Sequence, residues 1–187
     1  MSTLTCISPI DGAVFATRET LSRAAAEDVI ANARDAQSAW AARPLQDRID
    51  LVMAGVAAIG AMNDDIVLEL AQMMGRPARY GGEFGGFEDR ASHMADIAKD
   101  SLADIEVGED ATFKRYIKRV PHGVVFVVAP WNYPYMTAIN TVAPALIAGN
   151  TVILKHATQT LLVGERMARA FHSAGVPADV FQNVFLD

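Results

Sequence analysis

The stretch Gly123-Val124-Val125-Phe126-Val127-Val128-Ala129-Pro130-Trp131-Asn132-Tyr133-Pro134 decides how the chain is read, together with Thr151-Val152-Ile153-Leu154-Lys155 that follows it. Val124 to Val128 is short and wholly apolar, as expected of a strand buried on both faces of a parallel sheet. The Pro-bounded segment Ala129 to Pro134 breaks it. Met136 to Ala148 then has the length and composition of a helix, stopped by Gly149 at the position that favours a left-handed backbone. Thr151 to Leu154 repeats the buried-strand pattern, Leu161 to Ala174 is a second helix ended by Gly175, and Val180 to Phe185 begins a third strand. A β-α-β-α-β order predicts right-handed crossovers and one half of a doubly wound parallel sheet. Such a half has an open edge and uncovered apolar faces, so the chain is expected to stop inside a domain, at Asp187, where another loop should begin.

Upstream the period changes. Val29, Ala33, Ala36 and Trp40 share one helical face, and Leu45, Ile49, Val52, Val56 and Ile59 share another, with Pro44 in the first turn. Asn63-Asp64-Asp65 reads as a cap before Ile66, Leu70 and Met73, and Gly75 with Pro77 closes that helix. Phe84, Phe87, Ala91, Met94 and Ala98 form a fourth stripe. Residues 1–110 are thus expected to be a helical layer, with a polar, acidic surface connection over about 101–112. Thr112 to Val120 mixes Phe113, Tyr116 and Ile117 with Lys114, Arg115, Lys118 and Arg119, the pattern of an exposed edge strand. The fold class is α/β, divided into a helical part (1–110), an edge strand (111–121) and an incomplete α/β unit (122–187).

With 187 residues, 51% of them hydrophobic, there is material for a sizeable core. A net charge of −6 and the lack of any basic run argue against a nucleic-acid or anionic-membrane partner. A single cysteine, Cys6, rules out an intrachain disulfide. No apolar stretch approaches the ~20 residues of a membrane span, and the first residues do not look like a signal peptide. A cytoplasmic location is expected.

Ligands of open α/β sheets bind at the carboxyl ends of the strands. That puts two loops forward: Pro130 to Pro134, with the Asn132 amide, and Lys155-His156-Ala157-Thr158, with a cation beside a helix start. On residue chemistry alone, an Asn in a Pro-bounded turn is more often a turn former than a catalyst, and a single Lys after a strand, as Lys155 is, is usually just solvated. His93, His122, His156 and His172 lack metal-ligand spacing, and a loop or helix-face position is expected for each. Glu83 and Glu88 read as solvated residues of one helix.

These motifs, in this order, resemble the aldehyde dehydrogenase superfamily. The resemblance is carried by Val120-Pro121-His122-Gly123 through Pro130-Trp131-Asn132-Tyr133-Pro134, by Ala143 through Gly149-Asn150-Thr151-Val152 to Lys155, and by Ala174-Gly175-Val176-Pro177. Upstream, Ser8-Pro9-Ile10-Asp11-Gly12, Asp47-Arg48 and Met74-Gly75-Arg76-Pro77 fall in the family's order, so it covers nearly the whole chain.

The resemblance implies that Asn132 donates its amide to the oxyanion of a thiohemiacetal. It implies that Val128, Ala129, Pro130 and Trp131 lie along the nicotinamide half of NAD or NADP, and that Lys155 bonds the adenosine ribose. Tyr133, Met136, Thr137 and Asn140 fall where the family lines its aldehyde tunnel. The 112–120 strand resembles part of a domain that pairs subunits into homo-dimers or homo-tetramers. Many NAD-preferring members carry Glu where this sequence has Thr158; a hydroxyl in place of a carboxylate does not repel a ribose phosphate, so NADP should be accepted. The triplet Lys155-His156-Ala157 resembles a subset that includes some succinate-semialdehyde dehydrogenases. The family's nucleophilic cysteine and its assisting glutamate lie beyond this chain, and Cys6 is not expected to replace them. The chain by itself is therefore expected to be inactive: the N-terminal portion of an enzyme oxidising a small-molecule aldehyde or, alternatively, a short non-catalytic product that binds nucleotide or pairs with full-length subunits.

Overall fold

The computed structural model describes residues 2–187. Its centre is a three-stranded parallel sheet in the order β5 (Val124–Ala129), β6 (Thr151–His156), β7 (Phe181–Val184). Helices α5 (Pro134–Ile147) and α6 (Leu161–Ser173) make the two crossovers, giving the expected βαβαβ order. Gly149 (φ 89°) and Gly175 (φ 98°) take the left-handed conformation that ends each helix. α5 and α6 pack with α2 (Leu45–Ala61) against the sheet face formed by Val127, Ala129, Val152, Leu154 and Phe181. α1 (Arg23–Ala41) crosses the other face, over Val124, Ile153 and Val184.

Several named contacts lock the helices together. The Ser22 side chain caps α1 by accepting from the Ala25 N–H. At the far end of α1, the fully buried Trp40 donates its indole N–H to the Leu146 carbonyl, 2.9 Å away. Arg48, in the first turns of α2, is also buried. It donates to the carbonyls of Ile147 (2.9 Å), Ala41 (3.0 Å) and Arg43, thereby satisfying the orphan C-terminal carbonyls of two helices at once. Where α2 meets α6, Gly55 lets the Phe171 ring lie against its backbone; a Cβ there would sit 2.8 Å from the ring.

Four expectations about the elements outside the two candidate loops need correction. The first 110 residues are not all helical: β1 (Thr3–Ile7) and β2 (Val14–Glu19) form an antiparallel hairpin before α1. The acidic connection contains a strand, β3 (Ile105–Glu109), which pairs antiparallel with β4 (Lys114–Ile117), so the edge strand of 112–120 is shorter and has a partner. Asn63-Asp64-Asp65 is not a cap. It lies within α3 (Asn63–Met74), where Asp64 and Asp65 in the first turn favour the positive end of the helix dipole. The fourth concerns β5, which is not buried on both faces: Phe126 is 55% exposed and Val128 65%. α1 covers the amino end of this strand and leaves its carboxyl end open.

Candidate functional site

The open end of the sheet brings both predicted loops together. In the β5–β6 register Val128 pairs with Lys155 and Ala129 with His156, so Val128 and Lys155 project side by side from the face that α1 leaves uncovered. β6 runs to His156, two residues beyond the expected end, so Lys155 and His156 belong to the strand and only Ala157 begins the loop. Lys155 is half-buried. Thr158, also half-buried, opens a single 3₁₀ turn, Thr158–Thr160. Pro130 is half-buried while Trp131, Asn132 and Tyr133 are exposed, and Pro134 is the first residue of α5.

His156 is neither a loop nor a helix-face residue. It is buried, with Nε2 3.3 Å from the Pro134 carbonyl, while Nδ1 accepts from the Ala157 N–H (3.0 Å) and lies 3.0 Å from the Thr160 hydroxyl. These partners require the neutral ring with its proton on Nε2. Burial pushes its pKa down to about 4; the Pro134 carbonyl opposes this shift and the Lys155 cation adds to it. The imidazole thus joins the start of the second loop to the end of the first.

Glu83 and Arg76 are the residues that sequence reasoning missed. Glu83 is not solvated: it is 6% exposed and immediately precedes α4 (Phe84–Ser101). One carboxylate oxygen accepts from Arg76 at 2.7 Å, the other from the Met136 N–H at 2.8 Å. Burial raises its pKa, opposed first by the Met136 N–H and then by the Arg76 charge. Arg76 also donates to the Asn132 carbonyl at 3.2 Å, and its guanidinium lies 5.1 Å from the centre of the Tyr133 ring. The only local signal is the run of glycines around Glu83. Gly86 lets Met136 approach so closely that a Cβ would lie 2.3 Å from its sulfur.

Arg76, Glu83, Tyr133 and Met136 line a cleft of about 530 Å³ with Tyr80 and Gly86. Of the four proposed tunnel residues, Tyr133 and Met136 face this cleft. Thr137 and Asn140 are exposed further along α5 and do not line it. Cys6 is fully buried on β1, its thiol 3.1 Å from the Gln159 carbonyl and its pKa raised by burial, which suits packing and not nucleophilic attack.

Known proteins share this sequence pattern and fold. The sequence model described as the aldehyde dehydrogenase family matches residues 1–186. N-succinylglutamate 5-semialdehyde dehydrogenase of Novosphingobium aromaticivorans is 33% identical over 166 residues, which are 83% of this chain and 33% of that protein. Among solved structures, the NADP-dependent glyceraldehyde-3-phosphate dehydrogenase of Bacillus halodurans, complexed with NADP, superposes with a TM-score of 0.89 at 31% identity, over 98% of this chain and 40% of that one. The NAD-dependent benzaldehyde dehydrogenase of Corynebacterium glutamicum gives 0.87 at 28%, over 100% and 41%. The chain therefore spans about a third of that curated relative and about two fifths of these solved chains. Over the length that it covers, the chain belongs to the aldehyde dehydrogenase family.

Proposed function

We propose that residues 1–187 are the N-terminal portion of an NAD(P)-dependent enzyme that oxidises an aldehyde to the carboxylate through a thiohemiacetal on a cysteine supplied outside this chain. The observation that carries this reading is the shared open sheet edge. The exposed Asn132 loop and the Lys155 cation sit at the carboxyl ends of adjacent, in-register strands. The residues present fit a dinucleotide: exposed apolar Val128 and Trp131 offer a surface for a planar ring, and Lys155 and Thr158 offer a cation and a hydroxyl for ribose and phosphate oxygens. When bound, the nicotinamide cofactor supplies the hydride acceptor. Asn132 donates its side-chain amide to the oxyanion that develops as the thiolate adds to the carbonyl. Tyr133 and Met136 orient the aldehyde from the cleft, while Thr137 and Asn140, exposed further along α5, would meet it only outside that cleft. Thr158, with no carboxylate to repel a phosphate, lets NADP bind as well as NAD.

The β3–β4 hairpin, with Ile105, Val107, Phe113, Tyr116 and Ile117 exposed, supports subunit pairing into a homo-oligomer. We assign it to a pairing element that takes β3 from the end of the 1–110 part and β4 from 111–121, ahead of the nucleotide-binding part (122–187). A cytoplasmic location is part of the same reading; among the described residues no single helix is long and apolar enough to cross a membrane.

The test is the full-length gene product assayed for NAD(P)H formation with a panel of aldehydes. Asn132→Ala should lower kcat by about 10²–10³-fold, the usual cost of one oxyanion donor. An Asn132→Ala enzyme with unchanged kcat would refute the role of this loop.

A further inference from the structure

We propose that Arg76 and Glu83 act as a clamp that sets the position of the Asn132 loop, as positioning residues for the oxidation. The inference rests on the reading of Asn132 as the oxyanion donor. Helix α5 begins directly after the loop, at Pro134, and no side chain of its own caps it. Its free N–H groups need acceptors, and the N-terminal turn favours negative charge. Glu83, more than fifty residues earlier in the chain, supplies both by accepting from the Met136 N–H. The same carboxylate holds Arg76, which follows the left-handed Gly75 that ends α3. Arg76 then reaches the loop twice, through the Asn132 carbonyl and the Tyr133 ring. The backbone of the residue that carries the amide and the first turn of the following helix are therefore fixed from one buried ion pair.

A pair serving stability alone would need only its mutual contact. Here each member spends a further donor or acceptor on the loop or the helix behind it. Lysine at position 76 could still neutralise Glu83, but it lacks the planar fork that bonds Glu83 and Asn132 together while lying over Tyr133. Misplacement of a catalytic group by about 1 Å can cost about 10²-fold in rate.

The test uses the full-length enzyme and four variants: Arg76→Lys, Arg76→Met, Glu83→Gln and the double variant Arg76→Met/Glu83→Gln. Arg76→Lys and the double variant leave no unpaired buried charge, so they keep a melting temperature near that of the parent even if the other two fail to fold. Both should nevertheless lose about 10-fold to 10²-fold in kcat, with KM for the nicotinamide cofactor unchanged. Amide hydrogen exchange over 131–137 gives a readout independent of turnover. It should quicken about tenfold or more in Glu83→Gln and the double variant, because the Met136 N–H loses its charged acceptor. Folded Arg76→Lys enzyme with parental kcat, or unchanged exchange in the double variant, would overturn the clamp. Asn132→Ala with parental kcat would overturn the oxyanion role instead, leaving the exchange measurement to decide the tether.

Discussion

His156 gives a prediction whose size and sign both follow from the structure. In the unfolded chain its imidazole titrates near 6.5; in the fold, burial at 4% exposure pushes the pKa down to about 4. Between these values the unfolded state holds a proton that the folded state refuses, so stability falls as the pH falls through this window and levels off below it. The gap corresponds to about 3 kcal/mol, since each pKa unit is worth about 1.4 kcal/mol. Replacing His156→Gln removes the titration while keeping an amide that can donate to the Pro134 carbonyl. At about pH 7.5 the substitution should cost roughly 1–2 kcal/mol through lost packing and the lost acceptor for the Ala157 N–H. By about pH 4.5 the parent should have lost most of its His156 contribution while the variant loses none of it, so the order should invert and the variant become the more stable. Urea unfolding of both proteins at several pH values measures this, and taking their difference cancels the other titrating groups, Glu83 among them. A stability difference that stays constant over the range would refute the account of His156 as a neutral, desolvated bridge.

Gly164→Ala should destabilise the protein by roughly 1–3 kcal/mol in the same unfolding assay, because its Cβ would meet the buried Asn183 amide oxygen at 2.0 Å. Trp40→Phe should cost about 1–2 kcal/mol, through the lost indole bond and the lost packing of a fully buried ring, while the Leu146 carbonyl keeps the Gly149 N–H; a change under about 0.5 kcal/mol would mean that the bond contributes nothing. Thr158→Glu should weaken NADP binding by about tenfold or more and spare NAD, measured by cofactor titration of the full-length product; equal losses for both cofactors would refute a phosphate-specific role.

The crossover half of the fold was legible because its signals are local. An apolar run, a Pro-bounded break, a helical stripe and a closing glycine each read over a few residues, and Gly149 and Gly175 take the positive φ that their positions implied. The β1–β2 hairpin escaped because only Leu4 and Cys6 of β1 are buried, too few for their alternation to stand out among threonines. β3 escaped for a stronger reason: all five of its residues are exposed, so no core-facing period exists to be read. Glu83 was misread because its burial depends on Arg76 and on the Met136 amide, one seven residues away and the other fifty-three. A glutamate in a glycine-rich helix start looks solvated until the partner that neutralises it is known. His156 was hidden by the opposite difficulty, since a histidine near a strand end carries no mark of which way it points.

The exposed carboxyl end of β5 ties the misreading of that strand to its use. An unbroken run of valines and phenylalanine has no visible period of two, yet the structure separates it into two registers. Val127 and Ala129 meet the helices, while Val124, Phe126 and Val128 share the opposite face. α1 packs over Val124, and the apolar groove beside it, about 470 Å³ and lined by Val29, Ile30, Phe126, Ile153 and Leu186 among others, carries no polar side chain. On the same face, Lys155 follows Ile153 by two residues and stands in register with Val128. On the proposed reading, an apolar surface beside one cation suits a ligand with flat rings and charged oxygens. The hydrophobicity that sequence reasoning assigned to burial on two faces serves burial on one face and at the amino end of the other, and leaves Phe126 and Val128 exposed.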